Sequence, residues 1–261
     1  MYKLKEFLNV LEEFAPLSLS YKMIERGDYD NSGIIVENHD EVKSVLFSLD
    51  LTNKTVAKGL ELGCDTVVTH HPAIYTPVKN LSYNGQTSAL INAVKNNLNV
   101  ISMHLNLDVS KDGIDQCLAE GLGGENIKII DKLEEDTGYG RIFSREETPL
   151  ENFVKNIKEK FNTDKIIYYG NAPVKKVASF CGAGGSHAVS VTLKGDVDLD
   201  TVVTSDLAHH EILALVEREK NVVVVPHYLS EEYGFNKYYQ RIYKKVNGKA
   251  YAYYFADKRF M

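Results

Sequence analysis

The chain has 261 residues, 44% of them hydrophobic, and a formal net charge of −6. That length suits two modest domains or one large one with a substantial core, and the acidic balance argues against a basic nucleic-acid surface. No apolar run approaches the ~20 residues of a membrane span, and Met1-Tyr-Lys-Leu-Lys-Glu-Phe lacks an apolar signal core. The isolated cysteines Cys64, Cys117 and Cys181 fit a reducing cytoplasm better than a disulfide framework. None forms a CxxC pair, so a bound metal would take nitrogen and oxygen donors.

In chain order, Leu4, Phe7, Leu8, Leu11 and Phe14 share one helical face that stops near Pro16. A strand is predicted over 45–49. Thr52 or Asn53 then caps a helix that ends at Gly63. A strand over 66–69, a loop, a helix near 86–97 and a strand over 99–103 follow, then a short helix over 113–121. Thr148-Pro149-Leu150-Glu151 reads as a capping box that opens a helix to Phe161. Strands are expected over 165–169 and 174–180, a helix over 207–220 and a strand over 221–225. Ser230 caps a helix to Val246, closed by Gly248, and the tail 250–255 reads as a strand. Such alternation predicts an α/β protein with parallel or mixed sheets.

The order of elements repeats. Val42-Lys-Ser-Val45 leads to Asp65-Thr-Val-Val-Thr69, and Val174-Lys-Lys-Val177 leads to Asp200-Thr-Val-Val-Thr204. Each copy continues through a helical stretch into Asn-Val-x-Val and then a histidine, at His104 and His227. Two related α/β domains are therefore expected: 1–125, completed by 229–261, and 126–228. The glycines Gly121, Gly123, Gly124, Gly138 and Gly140 suggest a hinge.

Three groups follow apolar strands: His70-His71-Pro72, His104 with Asp108, and His227 with Glu231. Strand ends can converge in space, and four imidazoles with two carboxylates suit two divalent ions better than one. Each group also has a plainer reading. His70-His71 could be a loop dipeptide whose side chains diverge. Asp108 could cap a helix, and Glu231 could simply answer a helix dipole. Asp206 and His210, at the start of a predicted helix, are read as outer-lying or substrate-contacting groups. His209 cannot share a helix face with His210. Glu211 is read as a surface residue, and His39 and His187 as ordinary loop histidines. Gly182-Ala-Gly184-Gly185-Ser186 is read as either an anion-approaching loop or a tight turn. Tyr228, beside His227, is placed near the pocket.

Val68-Thr69-His70-His71-Pro72, His104-x-x-x-Asp108, Thr204-Ser205-Asp206 with His210, and Pro226-His227 with Glu231 resemble the Nif-three-like family, whose members carry the name GTP cyclohydrolase 1 type 2 homolog. Asp30-Asn31-Ser-Gly33 and Phe47-Ser-Leu-Asp50 fit the same pattern. The resemblance runs through nearly the whole chain. Two departures stand out: Ser205 replaces the family's usual glycine, and the inserted middle domain of longer relatives has no counterpart here. The resemblance implies a Nif-three-like fold of two related domains with mixed sheets, a two-metal site in the cleft between them, and a ring-shaped homohexamer. Carried over, the implied metal ligands are His70, His71, His104, Asp108, His227 and Glu231, holding two divalent ions per subunit (Zn, Fe or Mn). The expected activity is metal-dependent hydrolysis of a nucleotide or related heterocycle, with Asp206 or His210 moving a proton. The alternatives are a non-catalytic metal-binding regulatory or scaffold ring and, against the net charge, a nucleic-acid clamp. No membrane partner is expected.

Overall fold

The computed structural model describes residues 1–195 and 197–261. Its elements in chain order are β1 (Tyr2–Lys3), α1 (Leu4–Glu12), α2 (Leu17–Glu25), β2 (Gly33–Val36), β3 (Glu41–Val42), β4 (Ser44–Ser48), α3 (Asn53–Glu61), β5 (Thr66–Thr69), α4 (Ser88–Lys95), β6 (Asn99–Ser102) and α5 (Leu105–Val109). Then come α6 (Ile114–Gly121), β7 (Glu125–Lys132), β8 (Gly138–Thr148), α7 (Leu150–Phe161), β9 (Ile167–Tyr169), β10 (Val174–Ser179), α8 (Gly185–Lys194), β11 (Thr201–Thr204), α9 (His209–Val216), β12 (Asn221–Val224), α10 (His227–Val246) and β13 (Tyr251–Tyr254). Among the described residues no helix is long and apolar enough to cross a membrane.

The chain divides into two compact units. The first comprises Met1–Ser110 with Phe235–Lys258, the second Lys111–Gly234 with Arg259–Met261. Helix α6 counts with the second unit because its Asp115 accepts hydrogen bonds from the backbone N–H groups of Gly140 and Cys181.

The first unit holds a five-stranded sheet in the order β13-β4-β5-β6-β2. The first four strands run parallel and β2 is antiparallel to β6. Strands β4, β5 and β6 are buried throughout. Their β-branched runs fit the interior of a parallel sheet, where each fully buried Val or Leu contributes about 1.5–3 kcal/mol. Thr52 caps α3 as expected, its side chain accepting from the Thr55 N–H. In the same unit Phe235, Tyr238, Ile242 and Val246 form the buried stripe of α10. Phe47 of β4 packs on Phe235, Tyr238 and Tyr239.

The second unit holds a six-stranded mixed sheet, β7-β8-β10-β11-β12-β9. Strands β10, β11 and β12 are parallel, while β8 and β9 flank them antiparallel. Ala178, Phe180, Val202, Val222, Ala188 of α8 and Leu215 of α9 form one core cluster.

Several local expectations are corrected. The glycine-rich stretch read as a hinge contains the β7–β8 hairpin. Gly138 and Gly140 serve close packing there: a Cβ on Gly138 would lie 2.2 Å from Asp131 O, and one on Gly140 2.4 Å from the Phe180 ring. Pro149 is the N-cap of α7 with no side-chain cap hydrogen bond, so the capping box does not form. Ser230 lies inside α10 rather than capping it.

The sequence echo is repeated bond for bond. Asp65 Oδ2 accepts from the N–H groups of Lys43 and Ser44, and Asp200 Oδ2 from those of Lys175 and Lys176. Thr66 donates to Asp65 Oδ1 as Thr201 does to Asp200 Oδ1. Asn99 receives the N–H of Asn38 on its Oδ1 and donates to His39 O, while Asn221 does the same with Ala172 N–H and Ala172 O. Thr66 pairs in register with Asn99, and Thr201 with Asn221. Each unit therefore carries the same three-strand parallel core with an antiparallel strand on its third member.

Candidate metal centre

Carboxyl ends of parallel strands are where open α/β sheets present their functional groups. In the first unit, the N–H groups of His70 and His71 both donate to Leu49 O, at 3.1 and 3.0 Å. Two successive N–H groups on one carbonyl end the extended conformation, so the side chains need not diverge as they would in a strand. The three rings of His70, His71 and His104 have centroids 5.0, 5.2 and 5.8 Å apart. One ligand nitrogen from each lies within 4.8 Å of the others. Asp108 follows one turn later on α5, its N–H bonded to His104 O. Its Oδ1 lies 3.4 Å from His70 Nε2.

In the second unit, His227 opens α10 and Glu231 lies one turn on. His227 Nε2 and Glu231 Oε1 are 3.1 Å apart, and Glu231 is almost fully buried. Ser230, also on this turn, donates to His227 O and accepts from Gly182 N–H and Ser205 Oγ. Gly182 has φ +57°, and a Cβ there would lie 2.3 Å from Glu231 Oε1. The glycine-rich loop thus makes room for Glu231 and then continues into α8. His187 is a helical residue of α8, its ring edge-on to Tyr139.

The second nitrogen of each imidazole is held. His70 Nδ1 donates to Met103 O at 2.8 Å. His71 Nδ1 donates to Asp50 Oδ1, His104 Nδ1 to Asp30 Oδ1, and His227 Nδ1 to Asp206 Oδ2, each at 2.7 Å. A carbonyl or ionised carboxylate only accepts, so each Nδ1 carries the hydrogen and coordination would fall to Nε2. Such outer hydrogen bonds accompany most metal-ligating histidines. Burial pushes the Asp30 carboxyl up, but bonds from His104, Ser20 and Ser32 outweigh it and hold the group below its ordinary value.

The donor set fits a divalent ion. Two ligands on one tetrahedral ion at ~2.1 Å stand about 3.4 Å apart, close to the His70–Asp108 and His227–Glu231 spacings. His210 is exposed on the first turn of α9, and among the described residues no hydrogen bond or ion pair joins it to His227 or Glu231. Glu211 Oε2 accepts from Ala208 N–H and so caps α9. Tyr228 is buried and stacks on Phe260. Residue-by-residue reading did not single out Asp30 and Asp50 as orienting groups. Their only sequence signal was their place in the family pattern.

Fold and donors define an α/β protein with two mixed sheets, beside the short antiparallel β1–β3 pair, and with histidine–carboxylate clusters at its strand ends. The sequence matches the profile of the DUF34/NIF3 family (NGG1p interacting factor 3) over residues 2–258, and the chain belongs to that family. A Clostridium acetobutylicum protein named GTP cyclohydrolase 1 type 2 homolog is 28% identical over 235 residues, covering 88% of this chain and 85% of the relative. Among solved structures, a hypothetical protein of Staphylococcus aureus superposes with a TM-score of 0.85 at 24% identity, over 98% of this chain and 96% of that one. A Bacillus cereus protein related to NIF3 gives a TM-score of 0.85 at 18% identity, over the same shares. These two likenesses speak to the fold alone.

Proposed function

We propose that the chain binds two divalent metal ions through His70, His71, His104, Asp108, His227 and Glu231, and that it is a metal-dependent hydrolase acting on a nucleotide or related heterocycle. The observation that carries the reading is the uniform engagement of Nδ1 in all four histidines. Only His70 is fully buried and the other three rings are partly exposed, so packing alone gives the four no reason to share one tautomer. The relatives' name, GTP cyclohydrolase 1 type 2 homolog, supports the substrate class.

Bound ions would supply a water of lowered pKa, near ~7, and polarise the group under attack. The chain's own residues orient the ligands. Asp50, Asp30 and Asp206 fix three imidazoles with carboxylates, and Met103 O fixes the fourth with a neutral carbonyl. The carboxylates make their imidazoles more electron-rich donors than His70. Asp206, in the loop before α9, and His210, on the first turn of that helix, are both exposed and are the groups proposed to carry a proton between substrate and solvent. A homohexamer is the proposed assembly.

The test is elemental analysis of the purified chain beside a hydrolysis assay on GTP and related nucleotides. About two ions per chain are expected, and His70→Ala and Glu231→Ala lose metal and turnover together. Activity that survives metal loss overturns the hydrolase reading. A metal-loaded chain that turns over none of these compounds leaves a non-catalytic metal-binding protein.

A further inference from the structure

Tyr29 and Tyr75 lie in loops of the first unit and are 49% and 48% exposed. Their rings meet edge to face, with centroids 5.0 Å apart and planes at 73°. Tyr75 also stands perpendicular to the His104 ring, at 6.0 Å and 89°. Leaving large aromatic surface in water forgoes burial energy, yet this corner is tied down. The Tyr75 hydroxyl donates to Tyr29 O at 3.4 Å, and Asn31 Nδ2 donates to Ile74 O at 2.6 Å. Asp30, next to Tyr29, is fixed by Ser20, Ser32 and His104. The two chain segments that carry the rings are thus held to each other and to a candidate ligand.

We propose that Tyr29 and Tyr75 form a stacking platform for a planar aromatic heterocycle, held beside His104. The inference rests on the reading of this site as a centre that acts on a nucleotide or related heterocycle. Two rings near a right angle offer a face to stack on and an edge to meet, the two geometries that aromatic quadrupoles favour. Such contacts accept many bases because every base has a π-face.

Calorimetric titration of the metal-loaded full chain with guanosine 5′-monophosphate, and with ribose 5-phosphate as the base-free control, tests the platform. The nucleotide is expected to bind at least tenfold more tightly than the sugar phosphate. Tyr75→Ala and Tyr29→Ala weaken nucleotide binding about 5- to 100-fold, leave ribose 5-phosphate binding unchanged and keep the metal content of the wild type. Tyr75→Phe retains the aromatic face and stays within about twofold of the wild type. The platform is overturned if Tyr75→Ala binds the nucleotide as the wild type does, if the two ligands bind alike, or if the wild type binds no nucleotide. The two readings separate. Nucleotide binding that depends on Tyr75, without turnover, sinks the hydrolase and keeps the platform. Nucleotide hydrolysis with an unchanged KM in Tyr75→Ala does the reverse.

Discussion

His104 Nδ1 donates to Asp30 Oδ1 across 2.7 Å, and the Asp30 side chain is fully buried. Its other oxygen accepts from Ser20 and Ser32, and Ser32 Oγ in turn accepts the His104 N–H. The carboxylate therefore sets both the tautomer and the direction of the imidazole. Asp30→Ala should lower metal affinity about 10- to 100-fold and cost about 1–3 kcal/mol of stability from the orphaned donors. Asp30→Asn, which still offers one accepting oxygen, should fall between. Metal titration with a chelator indicator and urea unfolding check the two effects separately.

Gly182 adopts φ +57° beside Glu231, and Gly123 adopts φ +78° with nothing within 4 Å of an added Cβ. An alanine at either position pays about 1–2 kcal/mol for the left-handed backbone. Only Gly182→Ala should also displace the Glu231 carboxylate and weaken metal binding. Equal metal affinity in the two variants would show that Glu231 is not a ligand.

Asp115 and Arg141 are both buried in the second unit. Burial drives the Asp115 carboxyl up, opposed by the Arg141 charge and the N–H groups of Cys181 and Gly140. Arg141 in turn donates to Gln116 and to the carbonyls of Gly138 and Gly140. Asp115→Ala leaves the buried N–H groups of Gly140 and Cys181 without their acceptor, so a loss of about 1–3 kcal/mol is expected in denaturant unfolding. A loss below about 0.5 kcal/mol would mean that solvent reaches the two amides.

Tyr238 donates to Leu11 O at 3.0 Å. Burial, then the Glu12 charge, lifts its hydroxyl well above the ordinary phenol value. Between about pH 10 and that raised value the unfolded chain ionises this tyrosine while the folded chain does not. The contribution is present below about pH 10 and is lost as pH rises toward the folded value. Tyr238→Phe should cost about 1 kcal/mol at neutral pH and flatten the alkaline fall in stability. Parallel curves for variant and wild type would show that Tyr238 does not titrate on unfolding.

What the sequence disclosed follows from how much each segment is buried. Strands β4, β5, β6, β11 and β12 stood out because parallel strands covered on both faces must be continuous apolar runs. Strand β7 is mostly exposed or half-exposed, so it offered no such run, and the glycines on either side of it read as a hinge. Helix α2 begins straight after Pro16, which reads equally as the end of α1. Helix α8 was hidden behind the glycines that open it. All six proposed ligands were legible as residue types at strand ends. The orienting partners were not, because a hydrogen bond from His71 to Asp50 has no sequence period. The early start of α10 matters most for chemistry, since it places His227 and Glu231 a single helical turn apart.

The matched hydrogen bonds of the two sheets allow their strand ends to be compared position by position. His71 lies five residues beyond Thr66, and Asp206 five beyond Thr201. By the same register Asp50 corresponds to Gly182. Where one copy has an imidazole the other has a carboxylate, and where one has an acid the other has no side chain at all. Duplication within a single polypeptide permits this divergence. Two halves of one polypeptide are free to differ in this way, whereas two identical chains would offer the same groups twice: here one half carries three of the proposed imidazole ligands with Asp108, and the other carries His227 and, at Gly182, the space for Glu231.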